Sequence, residues 1–516
     1  MSVPPVLRIL RERPELAELA AFPFDFDLDR AEHLEDVRLA SGAPIEPVAG
    51  DDTGGTYFLC AGGEVLYAGS EGQAGLIGDS LAEALETLIG LPSWYDYVSV
   101  DTSAGDEALA AEIAGIEADL CETYGTGLEA ARTTLLDGLG LRRVPGPELI
   151  RRLQRALLRT EPDFLLLNAD EGLAYNPMDR LPRPPLWEIA LAPGRADLAE
   201  ARADAGRWAE IAADEGRRAG VLRAAQYDRR PEDLPLLRVL LRHEAPQLVT
   251  EEFRLAAVLV GLHGGSAEDH AFLHELYDTD FDVHCHLGGF PDTPDGMRRW
   301  AAELDASNYG EDPADEHPFT WIDLAIRQGR TETARAALLR LLDHHDLRLY
   351  SVRQGDPPEL LEGVTGPLLG HPRTDLQDAP TLRSLAFRLE QIGDHRQAAR
   401  AQRLYASLLE EPFERVGALR TLAALHRKAG EIDAAWRSLQ RTADSLDGTY
   451  WREVQLGHFL IEEHFLTARA ALDAGLPSTA HEALDAGKAL LSRLPRPAEE
   501  LHRMADGLTA ALDPDH

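Results

Sequence analysis

Four histidines carry the spacing closest to a chemical site. His270 and His274 stand four apart, and His284 and His286 flank Cys285, with Asp278, Asp280 and Asp282 between the pairs. Histidines four apart share one face of a helix and a His-x-His pair adds two imidazoles, so a metal-dependent hydrolase is the chemistry this group could serve. The set lacks the tight spacing of a structural zinc site. The flanking sequence reads as helix, without the alternating strands of a barrel that would frame a catalytic metal. The expectation is of junction and surface histidines, with no metal and no cofactor. Asp343-His344-His345-Asp346 falls at the end of a predicted helix, where such residues are ordinary. Gly125-Thr126-Gly127-Leu128-Glu129-Ala130 has the glycine spacing of a dinucleotide loop, but it follows the acidic stretch Glu117 to Glu122, which opposes a pyrophosphate. No nucleophile elbow, Walker loop, Cys-x-x-Cys pair or His-Glu-x-x-His helix occurs. No catalytic residue is assigned, and the chain is not expected to be an enzyme.

Charge points to binding instead. Between Arg38 and Arg132 there is no Lys or Arg, while those 93 residues hold 17 Asp and Glu. The chain has 89 acidic and 51 basic residues in all, so everything outside this window carries 72 against 51. A field of one sign repels nucleic acid and anionic membrane and speeds encounter with cations. The partner class it favours is a basic protein. Asp51, Asp52, Glu64 and Glu71, with Asp79 beyond them, lie in or beside turns, and Trp94-Tyr95-Asp96-Tyr97 sets aromatic area beside a carboxylate, an arrangement that suits Arg or Lys. Trp94 serves equally as a plug at the base of the domain. Turns at one end of a meander come together, so the carboxylates, with Asp101, are expected to form a single acidic face.

The elements behind these residues follow from periodicity. Val6, Ile9, Leu10, Leu16 and Leu19 keep helical spacing, which predicts one amphipathic helix in the first 38 residues, with a second short helix over Ala31 to Leu39. The period then changes. Runs at 45–49, 56–60, 64–68 and 74–77, separated by Gly54-Gly55, Gly62-Gly63 and Gly69 to Gly72, predict an antiparallel meander. A helix capped at Asp79 or Ser80 runs to Ile89 and is stopped by Gly90 and Pro92. From Asp106 the chain reads as helices at 108–122, 127–139 and 147–160. A strand near Asp163 to Leu167 and a proline-rich connector lead to a long charged helix at 196–225. The fold class predicted is α+β, a small antiparallel-sheet domain followed by a mainly α-helical, solenoid-like body. Its divisions are 1–100, 101–194, 195–375 and 376–516. Three scattered cysteines, Cys60, Cys121 and Cys285, and the lack of an apolar run of about 18 residues predict a soluble cytoplasmic protein with free thiols.

Two resemblances follow. The acidic-glycine turn, the Tyr57-Phe58-Leu59 strand, the Gly62-Gly63 turn, the strand reaching Tyr67 and the closing helix Asp79-Ser80-Leu81-Ala82-Glu83-Ala84-Leu85 together resemble the core of the SUKH superfamily, over residues 40–97. That resemblance implies an immunity or regulatory protein that binds a protein partner, a toxin among them, through the sheet-bearing domain. Further on, Gly329, Gly393, Gly430 and Gly475 are each followed five residues later by alanine, at Ala334, Ala398, Ala435 and Ala480. This resembles the turn between the two helices of a tetratricopeptide repeat, where glycine permits the turn and alanine permits close helix approach. Two adjacent pairs over 381–446 fit best. A helical-repeat scaffold carrying the acidic domain as a solubilising head is the second function predicted, and the metal-dependent hydrolase the third. The sequence leaves the oligomeric state open.

Overall fold

The computed structural model describes residues 3–125, 127–247, 249–279, 281–354, 377–446 and 449–512. Thr126 of the glycine-rich loop, Asp280 of the histidine group and the 375/376 division lie outside these residues. The chain forms two compact units, one from Met1–Leu166 and Tyr175–Ala337, the other from Leu167–Ala174 and the C-terminal helices from Leu338 onward.

The first unit opens with two helices rather than one, α1 (Pro5–Glu12) and α2 (Pro14–Ala21), because Pro14 cannot continue α1 and instead starts α2. The helix expected over Ala31 to Leu39 is absent. Val37–Leu39 is strand β1, and the Ala40 amide donates to the Leu165 carbonyl at 2.8 Å. The meander is present, as β2 (Ile45–Gly50), β3 (Thr56–Cys60), β4 (Val65–Ala68) and β5 (Gln73–Gly78), antiparallel throughout. Tyr57 pairs with Tyr67 and Phe58 with Leu66, so successive residues face opposite sides of the sheet. One side, with Tyr57, Leu59, Val65, Tyr67 and Ile77, packs under α3 (Leu81–Gly90). The Ser80 hydroxyl caps α3 by accepting from the Glu83 amide at 3.2 Å. The other side, with Phe58, Cys60, Leu66, Ala68 and Leu76, is covered by Leu39, Ala156, Leu166 and Tyr175.

Helices α4 (Asp106–Tyr124), α5 (Leu128–Leu139) and α6 (Gly146–Leu157) share the core of the sheet. Leu109, Leu135, Leu149 and Leu153 join Leu7, Tyr57 and Leu85 in one apolar cluster that extends to Met178. Residues 1–100 therefore do not close a core of their own. After β6 (Leu166–Asn168), strand β7 (Asn176–Pro177) joins β5 in parallel. Position 194 lies within α7 (Leu186–Ala203), so the chain does not divide there at a connector. The long charged helix expected over 196–225 is broken into the end of α7, α8 (Trp208–Ala213) and α9 (Glu215–Tyr227), with Asp204 capping the short turn Ala205–Arg207 ahead of α8 and Asp214 capping α9. The unit continues through α10 (Leu234–Glu244), α11 (Glu251–Leu262), α12 (Ala267–Tyr277), α13 (Phe281–His286), α14 (Met297–Asn308), α15 (Pro318–Arg327) and the first turns of α16 (Thr331–Gln354).

The second unit holds the rest of α16 and then α17 (Asp378–Gln391), α18 (His395–Leu408), α19 (Pro412–Lys428), α20 (Ile432–Gln440), α21 (Ala443–Leu446), α22 (Gln455–Asp473), α23 (Pro477–Leu491) and α24 (Glu499–Leu512). Gly393, Gly430 and Gly475 lie between consecutive helices of this unit with φ of 80°, 78° and 72°. This left-handed conformation costs glycine nothing and lets each chain reverse within three residues. Ala398, Ala435 and Ala480, on the helices that follow, are fully buried. Gly329 and the buried Ala334 repeat the arrangement between α15 and α16 in the first unit. The chain is thus an α+β protein with a small antiparallel sheet and a body of helical hairpins.

Candidate functional site

The β2–β3 turn is organised by Asp51. One carboxylate oxygen accepts from the Thr53 amide (2.8 Å), the Thr53 hydroxyl (2.9 Å) and the Gly55 amide (2.8 Å), and the other accepts from the Tyr67 hydroxyl at 2.5 Å. A side chain at Gly55 has no room, since its Cβ would stand 2.7 Å from that second oxygen and closer still to the Tyr67 hydroxyl. The Ser70 hydroxyl donates to the Thr53 carbonyl at 3.0 Å, which ties the β4–β5 turn beside it. Burial and the bond to Asp51 raise the Tyr67 phenol far above its usual range, so Tyr67 stays a neutral donor. Asp51 is buried, and the donors to its carboxylate are all neutral, while Arg30 donates to its backbone carbonyl at 3.3 Å.

Beside this turn lies a cavity of about 410 Å³ walled by Tyr67, Trp94 and Tyr95 and carrying the carboxylates of Asp25, Asp51, Glu71 and Asp96. Tyr67 and Trp94 meet edge to face at 5.0 Å between centroids, and Trp94 meets Tyr95 at 5.7 Å. A second cavity of about 450 Å³ adjoins it through Asp25, Thr53, Pro92 and Ser93. Its other walls are Leu19, Phe22, Pro23, Leu120, Leu128 and Ala131, with the Asp52 carboxylate among them. No Lys or Arg lines either one. Asp25 stands at their junction with φ 51°, in the left-handed region that Asp and Asn tolerate better than other side chains. Burial first, and then the charges of Asp52 and Asp51, raise its carboxyl to about 6.

The expected single acidic face is not formed. Turns of an antiparallel meander alternate between its two ends, so Asp51, Asp52 and Glu71 gather at one end while Glu64 and Asp79 fall at the other. Six carboxylates of the acidic window also pair with arginines from outside it. These are Asp52 with Arg30, Asp79 with Arg159, Glu86 with Arg142 and Arg152, Asp106 with Arg151, Glu117 with Arg132, and Glu129 with Arg132 and Arg143. Trp94 and Tyr97 are buried, while Tyr95 is 43% exposed and Asp96 lies open beside it. The sequence reading missed Asp25, Phe22 and Leu128. The run Phe22-Pro23-Phe24-Asp25-Phe26-Asp27 was a signal against a continuous helix, because a proline and alternating aromatic and acidic residues do not make a helical face.

The four histidines do not converge on an ion. His270 Nε2 donates to the Pro291 carbonyl (2.8 Å), His286 Nε2 to the Thr250 carbonyl (2.7 Å), His284 bonds the Tyr277 hydroxyl (3.0 Å) and His274 meets Asp278 (3.0 Å). Among the described residues no group of three or more His, Cys, Asp or Glu is arranged to hold a metal. Asp343 is buried and bound to Arg400 (2.6 Å) and to the Ala174 amide (3.0 Å), while His345 meets Asp378 at 2.7 Å. Burial, then Glu64, pushes the Cys60 thiol up to about 12, which rules out a thiolate there at neutral pH. Among the described residues no helix is long and apolar enough to cross a membrane.

No protein-family model, curated protein or solved structure matches the chain.

Proposed function

We propose that the protein is a non-enzymatic binding protein that docks a basic protein in the groove made by the two adjoining cavities. The observation that carries this reading is a concave, aromatic-walled surface holding four carboxylates and lined by no Lys or Arg, in a chain of net charge −38. Such a surface raises the rate of encounter with cations and fixes their orientation. The SUKH-like order of turns and strands supports an immunity or regulatory role, with a basic toxin as the partner. Free thiols at Cys60, Cys121 and Cys285 suit the cytoplasm. The test is copurification with the tagged full chain, followed by association kinetics of the captured protein at several salt concentrations. The reading expects an on-rate that falls with salt and a slower on-rate for Asp96→Asn and Glu71→Gln. A salt-independent on-rate overturns it.

One observation favours the tetratricopeptide-like scaffold as a second reading. The second unit carries a cavity of about 610 Å³ lined by Arg383, Phe387, Arg388, Tyr405 and Glu414, with Phe387 65% exposed. Exposed aromatics beside arginines mark protein contacts. A partner whose binding is lost with Phe387→Ala and kept with the groove variants belongs there.

A further inference from the structure

We infer that the groove reads a two-part motif, a cationic side chain in the chamber of Trp94 and Tyr95 together with an apolar side chain of the same segment in the chamber of Phe22 and Leu128. The inference rests on the reading that the groove is the docking site. The two chambers share Asp25, Thr53, Pro92 and Ser93, yet their walls differ in kind. In the first, the Asp51 carboxylate is satisfied by neutral donors only, and the nearby Arg30 guanidinium bonds its backbone carbonyl and not the carboxylate. Asp25, Glu71 and Asp96 make neither ion pair nor hydrogen bond through their carboxylates among the described residues. The rings of Tyr67, Trp94 and Tyr95 supply the faces and edges against which a guanidinium or ammonium stem packs. Tyr57 lies behind this wall with its ring 5.0 Å from that of Tyr67, and its fully buried hydroxyl faces the Trp94 side chain. The charges that act on that hydroxyl, those of Tyr67, Asp51 and Asp25, all belong to residues lining the chamber.

The second chamber is walled mainly by apolar side chains, with Asp52 and the shared Asp25, Thr53 and Ser93 on its polar side, and Phe22 at its edge is 56% exposed. Aromatic surface still exposed beside a cavity is what an apolar side chain covers on binding. A metal ion does not fit the first chamber, because the inner carboxylate is already filled by N–H and O–H donors. A small organic cation would occupy only one chamber and leave Phe22 exposed. A peptide segment fills both. Charge complementarity selects its first residue and the apolar wall its second.

Asp25 couples the two halves. The groups that face it are Asp51 and Asp52 from the β2–β3 turn, Arg30 from the short turn before β1, Glu71 from the β4–β5 turn, Asp96 and the Tyr57 and Tyr67 phenols. An entering cation favours the ionised carboxyl, so binding releases a proton near pH 6 and strengthens as pH rises from 5 to 7.

The probes are labelled Gly/Ser peptides carrying one Arg and one Leu separated by none to several residues, titrated into the full chain by fluorescence anisotropy. At the best spacing, replacing Arg by Gln or Leu by Ser should each weaken binding on the order of tenfold. Asp25→Asn should weaken it and abolish its pH dependence, with thermal unfolding of the variant as the folding control. Equal binding of the Leu and Ser peptides overturns the two-part motif and leaves the docking reading standing. No binding by any peptide, while the copurified partner still responds to Asp96→Asn, does the same. A partner whose on-rate ignores both salt and Asp96→Asn removes the docking reading itself.

Discussion

Asp25→Asn should stabilise the first unit at neutral pH and leave it unchanged in acid. The Asp25 carboxyl is raised from 3.8 to about 6 by burial and by Asp52 and Asp51. A raised acid pKa means that the folded state holds the proton more tightly than the unfolded chain. The stability it contributes is fully present below pH 3.8 and is lost as pH rises through 6. About two units at 1.36 kcal/mol each come to about 3 kcal/mol, which solvent screening of a partly exposed group reduces to about 2 kcal/mol. Asparagine keeps the shape, carries no charge and accepts the left-handed backbone at φ 51°. Urea unfolding of both proteins, followed by tryptophan fluorescence at pH 4 and pH 7.5, measures the difference. It should be near zero at the lower pH, about 2 kcal/mol at the higher, and smaller at high salt, where the repulsion of Asp52 is screened. A difference independent of pH, or a variant less stable at pH 7.5, would refute the electrostatic account of Asp25 and with it the proton release on binding.

In the second unit, Ala435→Leu should cost about 1–3 kcal/mol in urea unfolding, because the fully buried Ala435 leaves no room at the α19–α20 crossing. Arg400→Ala should cost about 3–5 kcal/mol, read as a lowered thermal midpoint, since it strips the buried Asp343 of its ion pair. The His344 imidazole is held down to about 4 by burial, then by His345 and Arg348, so it stays neutral in the fold while the unfolded chain takes up a proton below pH 6.5. Stability should therefore fall by about 2–3 kcal/mol between pH 6.5 and pH 4, a loss that His344→Gln flattens in urea titrations across that range.

The strands were legible because local chemistry dictated them. Gly54-Gly55, Gly62-Gly63 and Gly69 to Gly72 break the chain wherever β-branched and aromatic runs end, and the strands begin and end within a residue or two of those breaks. The glycine-to-alanine interval was legible for the same reason, since a reversal between helices needs both residues within one turn. Val37–Leu39 was not, because whether such a run becomes helix or strand depends on partners far along the chain. The break at Pro14 was readable, but the helical spacing of Val6 to Leu19 persists across it and hides it.

Charge composition misled in an instructive way. A window with 17 carboxylates and no cation predicts a field, but the fold brings Arg30, Arg132, Arg142, Arg143, Arg151, Arg152 and Arg159 from outside the window against six of those carboxylates. Sequence counting treats the charges as one sum, whereas pairing removes them selectively. It removes most of them in and beside α3 to α6, where all the arginines but Arg30 lie. Glu71 and Asp96 are among the carboxylates outside those pairs, with the Asp51 carboxylate held by neutral donors and Asp25 contributed from a loop before the window begins. These four are the carboxylates of the aromatic chamber. Which carboxylates stay uncompensated is thus set by topology more than by composition, and four of the carboxylates outside the arginine pairs meet at the end of the sheet beside the rings of Trp94 and Tyr95.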